Sequence, residues 1–165
     1  MPGNALATVR PLRQQDSAFL CSIFRNNEEY YQIFFDPEDD PTEWARRVKR
    51  FLTQNEVQHF IIEANGDPIG WISYADDENK ARELCILVIH PAHLGAGYGA
   101  QALSWLIKKS RKDGRKELLL NVNQSNTRAI RFYQQFGFTI YAEEIVPECN
   151  DAVNLAQYKM KGILT

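Results

Sequence analysis

The sequence predicts an α/β fold in which a mixed central sheet of about seven strands is flanked by about four helices. Short apolar or alternating runs, which are typical of strands, occur both before and after amphipathic helical patterns. Glycine, proline and asparagine mark the boundaries between these runs. With 165 residues, of which 44% are hydrophobic and 24% are charged, the chain is predicted to form one globular domain over residues 1–165.

The first third of the chain predicts one strand followed by two helices. Residues 6–12 form the strand, and Asp16 is expected to cap the first helix, because a short side chain with an acceptor oxygen can bond the free N–H groups there. The apolar stripe of this helix is Phe19, Leu20, Ile23 and Phe24. The second helix has Asp40 as its cap, Pro41 at its first position and Glu43 three residues after the cap. The side chains that it is expected to bury are Trp44, Val48, Phe51 and Leu52.

Three predicted strands follow the second helix. Residues 59–64 and 68–74 form an antiparallel hairpin, because Asn65-Gly66 between them is a strong hairpin-turn signal. Residues 83–89 form the third strand, whose nearly continuous apolar character predicts that it is buried. Cys85 in this strand is therefore expected to pack in the core rather than to act as a nucleophile.

Helices and strands alternate in the rest of the chain. The patterns predict helices at 100–112 and 126–136, and strands at 117–122, 138–146 and 153–160. Gly114 and Gly137 are expected to end the two helices, since glycine readily adopts the left-handed conformation of a helix C-cap. Ser125 or Asn126 caps the second of them. The resulting order of elements is β-α-α-β-β-β-α-β-α-β-β.

Composition and charge exclude several classes of protein. A formal net charge of −2 argues against a nucleic-acid-binding protein that depends on a basic surface. The three cysteines, Cys21, Cys85 and Cys149, show neither disulfide-framework nor zinc-ligand spacing, so we expect no metal and a cytoplasmic protein. No apolar run is long enough to span a membrane, and no secretory signal pattern is present, so no membrane partner is expected.

The most informative segment is a glycine-rich turn at residues 91–101, between a strand pattern and a helix pattern. Glycines allow the backbone to turn tightly and to approach a ligand closely. The start of the following helix directs free N–H groups and the positive end of its dipole at the turn, which predicts a site for phosphate or diphosphate. A Walker A loop is excluded because Ala100 follows Gly99 where that loop has lysine. The G-x-G-x-G spacing also differs from the dinucleotide fingerprint G-x-G-x-x-G.

A second motif lies about thirty residues further on, and the two motifs together resemble the GCN5-related N-acetyltransferase (GNAT) superfamily. The first signature of that superfamily, Q/R-x-x-G-x-G/A, is matched by residues 94–99, except that Leu94 stands where the superfamily usually has Gln or Arg. The second signature, N-x-x-A-x-x-x-Y-x-x-x-G-F, is matched throughout by Asn126, Ala129, Tyr133, Gly137 and Phe138. The resemblance is clear over residues 83–141.

This resemblance implies a strongly twisted GNAT-like sheet and an enzyme that uses acetyl-CoA as its co-substrate. Acetyl transfer to a primary amine of a small molecule, peptide or protein would occur directly within a ternary complex. Backbone N–H groups of the turn would hold the CoA diphosphate, and the strand before the turn would pair with the pantetheine arm and polarise the thioester carbonyl. The cofactor-binding residues implied are Leu87, Val88, Ile89, Leu94, Gly95, Ala96, Gly97, Tyr98, Gly99, Ala100 and Tyr133, together with Asn126 as a CoA contact or a helix cap.

The resemblance also implies two catalytic side chains. Tyr133 is the candidate general acid that protonates the departing thiolate, and the alternative is a core tyrosine on an apolar helix stripe. Glu83 lies fourteen residues before Gly97, where the histone-acetylating branch carries its catalytic glutamate. It is either a general base that acts through a water or an exposed charge at a strand end. His93 flanks the turn and either contacts phosphate or belongs to the loop surface.

The acceptor side of the site is expected in the segment at residues 30–40. Our hypothesis is a small cationic amine that is attracted by acids and packed on aromatic rings. The side chains concerned are Asp36, Glu38, Asp39, Glu28, Glu29, Tyr30, Tyr31 and Phe34. The alternative is that these acids solvate a loop and cap the second helix. A non-catalytic acyl-CoA-binding module on the same fold also stays open, and the resemblance is compatible with a homodimer.

Overall fold

The computed structural model describes residues 5–25, 40–147 and 154–164. The strands in these residues are β1 (Ala7–Pro11), β2 (Val57–Ala64), β3 (Asp67–Asp76), β4 (Ala81–Ile89), β5 (Glu117–Asn123), β6 (Thr139–Pro147) and β7 (Asn154–Ile163). The α-helices in the same residues are α1 (Ser17–Arg25), α2 (Pro41–Thr53), α3 (Tyr98–Lys112) and α4 (Thr127–Gln135). These strands form a mixed seven-stranded sheet in the order β1-β2-β3-β4-β5-β7-β6, so the predicted α/β class is confirmed.

The chain divides into two compact units. The first unit contains Met1–Ala75 and Ile86–Leu106, and the second contains Asp76–Cys85 and Ile107–Thr165. Strand β4 and helix α3 therefore each contribute residues to both units. Within the described residues, no helix is both long and apolar enough to cross a membrane.

In the first unit, β1, β2 and β3 pair as consecutive antiparallel strands. The predicted Asn65-Gly66 turn is confirmed, because both residues have positive φ angles, 53° and 80°, as a tight hairpin turn requires. Helices α1 and α2 bury their apolar faces in one core with β2, β3 and β4. This core consists of Leu12, Leu20, Cys21, Ile23, Phe24, Trp44, Val48, Ile61, Trp71 and Val88. Its centre is aromatic, with the Phe24 and Trp44 rings stacked at 5.1 Å.

A neutral histidine lies at the edge of this core. Trp71 Nε1 donates a hydrogen bond to His59 Nδ1 at 3.3 Å, and the Phe51 ring stacks on His59 with centroids 4.4 Å apart. Burial lowers the pKa of His59 to about 4, since water no longer solvates the charged imidazolium well. The side chain is therefore uncharged at neutral pH and works as an acceptor for the tryptophan.

In the second unit, β4 begins as a parallel partner of β5, and β5, β7 and β6 follow as antiparallel neighbours. The guanidinium of Arg82 is only 2% exposed and links three elements. It donates to both carboxylate oxygens of Asp76 at 2.6 and 3.0 Å and to Ser110 Oγ at 3.3 Å, and it pairs with Asp113 at 3.0 Å. These charge-assisted bonds hold the start of β4 against the end of α3.

Three predictions about individual side chains are wrong. Asp16 ends a single turn of 3-10 helix, and its carboxylate accepts bonds from the Arg13 N–H and the Arg10 guanidinium rather than serving as the predicted cap of α1. Leu52, which was expected to be buried, is 46% exposed at the end of α2. Cys85 is exposed instead of packed in the core, because it belongs to the open face of β4.

Candidate active site

The glycine-rich turn follows β4 and adopts a conformation that requires glycine. A turn of 3-10 helix at Pro91–His93 leads into it, and α3 begins at Tyr98. Gly95 and Gly97 both have φ angles of 82°, in the left-handed region that other residues avoid. A Cβ atom at either glycine would meet no atom of the described residues within 4 Å, so no described part of the protein packs on the turn at these positions.

Six consecutive backbone N–H groups of this turn have no acceptor among the residues that the structure describes. The first backbone bond of α3 runs from the Gln101 N–H to the Gly97 carbonyl at 3.1 Å. In the described part of the chain, the N–H groups of residues 95–100 donate to no protein carbonyl or side chain. Unbonded amides at the positive end of a helix dipole form a binding site for an anion such as a diphosphate.

The strand leading into the turn is held tightly at its end. Val88 and Ile89 are buried and Leu87 is half-buried. The His90 N–H donates to the Ile69 carbonyl at 2.8 Å, which fixes the exit of β4 against β3. Gly70 of the neighbouring strand β3 lies close beside this strand, since a Cβ atom there would be 2.6 Å from the Val88 carbonyl oxygen. The backbone that leads to the glycine-rich turn therefore has little freedom to move.

Two histidines and a tyrosine surround the entry to the turn. His90 Nδ1 accepts a bond from the Ala92 N–H at 3.1 Å, and its ring stacks on Phe19 at 6.1 Å. Burial lowers the pKa of His90, and the neighbouring His93 lowers it further. His93 is exposed, and its ring lies edge-on to Tyr98 at 6.4 Å. The sequence did not indicate that His90 holds the entry to the turn. The feature that pointed to it was the position of His90 before Pro91 at the end of a strand.

The side chain of Leu94 brings no polar atom to the turn. Its side chain is 52% exposed and apolar, at the position where the resemblance led us to expect glutamine or arginine. A ligand in the turn would therefore receive no hydrogen bond from the side chain of residue 94.

The remaining predicted site residues lie in the second unit. Asn126 caps α4, because its side-chain oxygen accepts the Ala129 N–H at 3.1 Å. Tyr133 is half-buried on α4, with its ring edge-on to Phe132 at 5.2 Å and to Phe138 at 5.8 Å. Glu83 is exposed on β4, where its backbone pairs with Leu119 of β5.

The predicted acceptor segment at 30–40 lies outside the described residues except for its last member. Asp40 caps α2, and its carboxylate accepts the Glu43 N–H at 2.8 Å. Among the described residues, no three histidine, cysteine or acidic side chains are grouped so that they could hold a metal ion.

The fold and the turn define an α/β protein with a glycine-rich turn at the start of a helix, where amides have no acceptor among the described residues. The model of the Acetyltransferase (GNAT) family matches residues 21–138, more than half of the chain, and the chain therefore belongs to that family. The predicted superfamily is thus confirmed.

Two sequence relatives and one solved structure illustrate this membership. An uncharacterized N-acetyltransferase of Methanocaldococcus jannaschii is 32% identical over 140 residues, which are 79% of this chain and 60% of the relative. The L-methionine sulfoximine/L-methionine sulfone acetyltransferase of Salmonella typhimurium is 31% identical over 87 residues, half of each chain. The chain thus spans less than two thirds of the length of either relative. Spermidine N-acetyltransferase from Vibrio cholerae, in complex with CoA and spermine, has the same fold with a TM-score of 0.82 at 18% identity, over 96% of both chains.

Proposed function

We propose that this protein is an N-acetyltransferase that moves an acetyl group from acetyl-CoA to a primary amine. The observation that carries the proposal is the run of six amides at residues 95–100 that have no acceptor in the described ranges, in a member of a family of acetyltransferases. The diphosphate of CoA is an anion of the size and charge that such a turn binds. The structural neighbour from Vibrio cholerae, which binds CoA, supports this choice of ligand.

The transfer is a single acyl exchange within a ternary complex. The amine nitrogen attacks the thioester carbonyl carbon, the C–S bond breaks, the amine loses a proton and the CoA thiolate gains one. A backbone N–H of the strand at Leu87, Val88 or Ile89 would stabilise the negative charge that develops on the carbonyl oxygen. This reaction requires neither a metal nor an acyl-enzyme intermediate.

Two side chains would move the protons. Tyr133 is the proposed acid, because a phenol with a pKa near 10 stays protonated beside a thiol with a pKa of about 8.5 and can therefore donate to the departing sulfur. Glu83 is the proposed base, acting through a water, and its exposed position on β4 leaves room for that water. A carboxylate is a weak base for an ammonium group. The relay through water would therefore act on the small fraction of the amine that is already neutral.

The acceptor would be a small amine of the amino-acid or polyamine class. One relative is named for acetylating methionine sulfoximine and methionine sulfone, and the structural neighbour is named for acetylating spermidine. The acids of segment 30–40 favour a cationic acceptor such as a polyamine. Neutral substitutions of Asp36, Glu38 and Asp39 should therefore raise the KM for a polyamine and leave the KM for a neutral-tailed amino acid unchanged.

Thermal unfolding in the presence of acetyl-CoA, CoA, ATP and NAD tests the ligand assignment. A ligand at about a hundred times its Kd stabilises the native state by roughly 2.7 kcal/mol, which is enough to move the Tm visibly. We expect acetyl-CoA and CoA to raise the Tm and ATP and NAD not to do so. An amine panel assayed by thiol release then identifies the acceptor class. Stabilisation by ATP or NAD alone would refute the proposal.

The conservative variant Tyr133→Phe separates an enzyme from a non-catalytic acyl-CoA-binding module. Removal of a general acid should lower kcat by about a hundredfold while the Kd for CoA stays the same. Tyr141→Phe is a matched control, since Tyr141 is an exposed tyrosine on β6 that packs against Lys161. Unchanged kcat in Tyr133→Phe would show that Tyr133 is not the acid. The absence of any turnover in the unaltered protein, with CoA still bound, would instead favour the binding module.

A further inference from the structure

We propose that His93 is a binding residue for the CoA diphosphate and supplies the side-chain donor that Leu94 does not. This inference rests on the proposed function, because it assumes that CoA occupies the glycine turn. It concerns a side chain that is specific to this sequence, in addition to the backbone amides.

The position of His93 relative to the unbonded amides is the first argument. The His93 ring lies edge-on to the ring of Tyr98 at 6.4 Å. Tyr98 is the first residue of α3 and one of the six residues whose N–H groups have no acceptor in the part of the chain that the structure describes. The imidazole therefore extends along the turn toward the start of the helix rather than away from it. An anion that bonds the amides of the first helical turn would lie within reach of an imidazole N–H.

The rigidity of the segment that carries His93 is the second argument. Its backbone N–H donates to the His90 carbonyl at 2.8 Å, and His90 is itself held by Ala92, Ile69 and Phe19. A donor on a fixed backbone loses less conformational entropy on binding than one on a mobile loop, so more of its interaction energy appears as affinity. His90 thus acts as a positioning residue for its neighbour.

The chemistry of the neighbouring side chains is the third argument. His93 is exposed to solvent, whereas His90 uses its Nδ1 within the turn and is partly buried against Phe19. Leu94 carries no hydrogen-bonding atom. Three side chains of residues 90–98 carry a hydrogen-bond donor: His90, His93 and Tyr98. His93 is the exposed one of the three, so a phosphate oxygen can reach its imidazole without displacing packed protein.

Binding of three ligands to His93→Ala tests the proposal by calorimetry or competition with acetyl-CoA. The ligands are CoA, dephospho-CoA, which keeps the diphosphate, and pantetheine, which has no phosphate. We expect the Kd to rise about three- to tenfold for CoA and for dephospho-CoA, the range of one partly exposed hydrogen bond to a charged group, and to stay unchanged for pantetheine. His93→Arg should keep or tighten binding, because arginine also donates to phosphate.

Lys49→Gln is the control for a general loss of positive charge, since Lys49 is an exposed cation on α2 of the same unit. A loss for CoA but not for dephospho-CoA would assign His93 to the 3′-phosphate and overturn the proposal. An equal loss for all three ligands, or no loss at all, would also overturn it. If the unaltered protein bound none of the three ligands, the proposed function itself would fail, which is a different result from a failure of His93 alone.

Discussion

Substitution of Gly70 by alanine tests how closely β3 supports the strand that leads to the glycine turn. Gly70 is buried, and its backbone conformation does not require glycine. An alanine at this position is therefore opposed by lack of space and not by backbone strain. The added Cβ would lie 2.6 Å from the Val88 carbonyl oxygen and 2.8 Å from Ile89 Cδ1, whereas ordinary contacts begin near 3.4 Å. The Ile89 side chain can rotate away, but the Val88 carbonyl belongs to the backbone of β4 and must be pushed by several tenths of an ångström.

The cost of this displacement can be estimated from other overpacked cores. An extra methyl group in a tightly packed position costs about 1–3 kcal/mol, which for a chain of this size lowers the Tm by roughly 3–10 °C. Because Val88 is in the strand proposed to hold the pantetheine arm, the KM for acetyl-CoA should rise several-fold as well. Thermal unfolding and acetyl-CoA saturation curves measure the two effects.

The contrasting variant is Gly162→Ala on β7. A Cβ atom there would meet only the Phe138 ring, at 3.2–3.3 Å, and a ring that shifts by a few tenths of an ångström relieves the contact at smaller cost. We therefore expect Gly162→Ala to lower the Tm less than Gly70→Ala and to leave the KM for acetyl-CoA unchanged. A Gly70→Ala protein with the Tm and KM of the unaltered protein would refute the reasoning, because β4 would then be free to move.

Two further predictions concern stability. The pKa of His59 is about 4 in the folded protein and near 6.5 when unfolded, so its stabilising effect is complete above pH 6.5 and is lost as the pH falls toward 4. After allowance for solvent screening, the free energy of unfolding measured in urea should fall by about 1–2 kcal/mol as the pH is lowered over this range. The fall should be smaller in His59→Gln. Arg82→Met leaves Asp76 and Asp113 without their buried partner. This variant should lower the free energy of unfolding by about 2–4 kcal/mol. An unchanged urea midpoint would contradict this prediction.

The parts of the fold that depend on local chemistry could be predicted from the sequence. The cap of α2 at Asp40 and the hairpin turn at Asn65-Gly66 each depend on residues that are adjacent or three apart, so a short window contains all the information. Asp16 has the same capping chemistry as Asp40, but Arg10 binds its carboxylate with two bonds of 2.8 and 2.9 Å. That competing partner comes from a different element, and residue spacing alone does not reveal it.

Burial depends on neighbours that are distant in the sequence, and it was predicted less well. The apolar periodicity of α2 indicates which face is inward, and Trp44, Val48 and Phe51 pack there, but Leu52 at the edge of that face is exposed. Cys85 lies in a strand whose composition is nearly all apolar, and yet it is exposed on β4. A count of apolar residues cannot distinguish a strand that is covered on both faces from one that leaves part of a face open.

The contrast between local and distant contacts also explains why the proposed CoA site could be predicted more sharply than the site for the amine acceptor. The proposed CoA site is formed mainly by backbone N–H groups, and a backbone site is recorded in the sequence by the glycines that its conformation requires, here Gly95 and Gly97. An acceptor site is formed by side chains from separate segments, and its specificity depends on how those segments meet. In its proposed role, His93 lies between these two cases, because a side chain would bind the ligand but the turn sets the position of that side chain. A substitution at His93 should therefore change CoA affinity without changing the preference among amines, and kcat/KM ratios for an amino acid and a polyamine would show this directly.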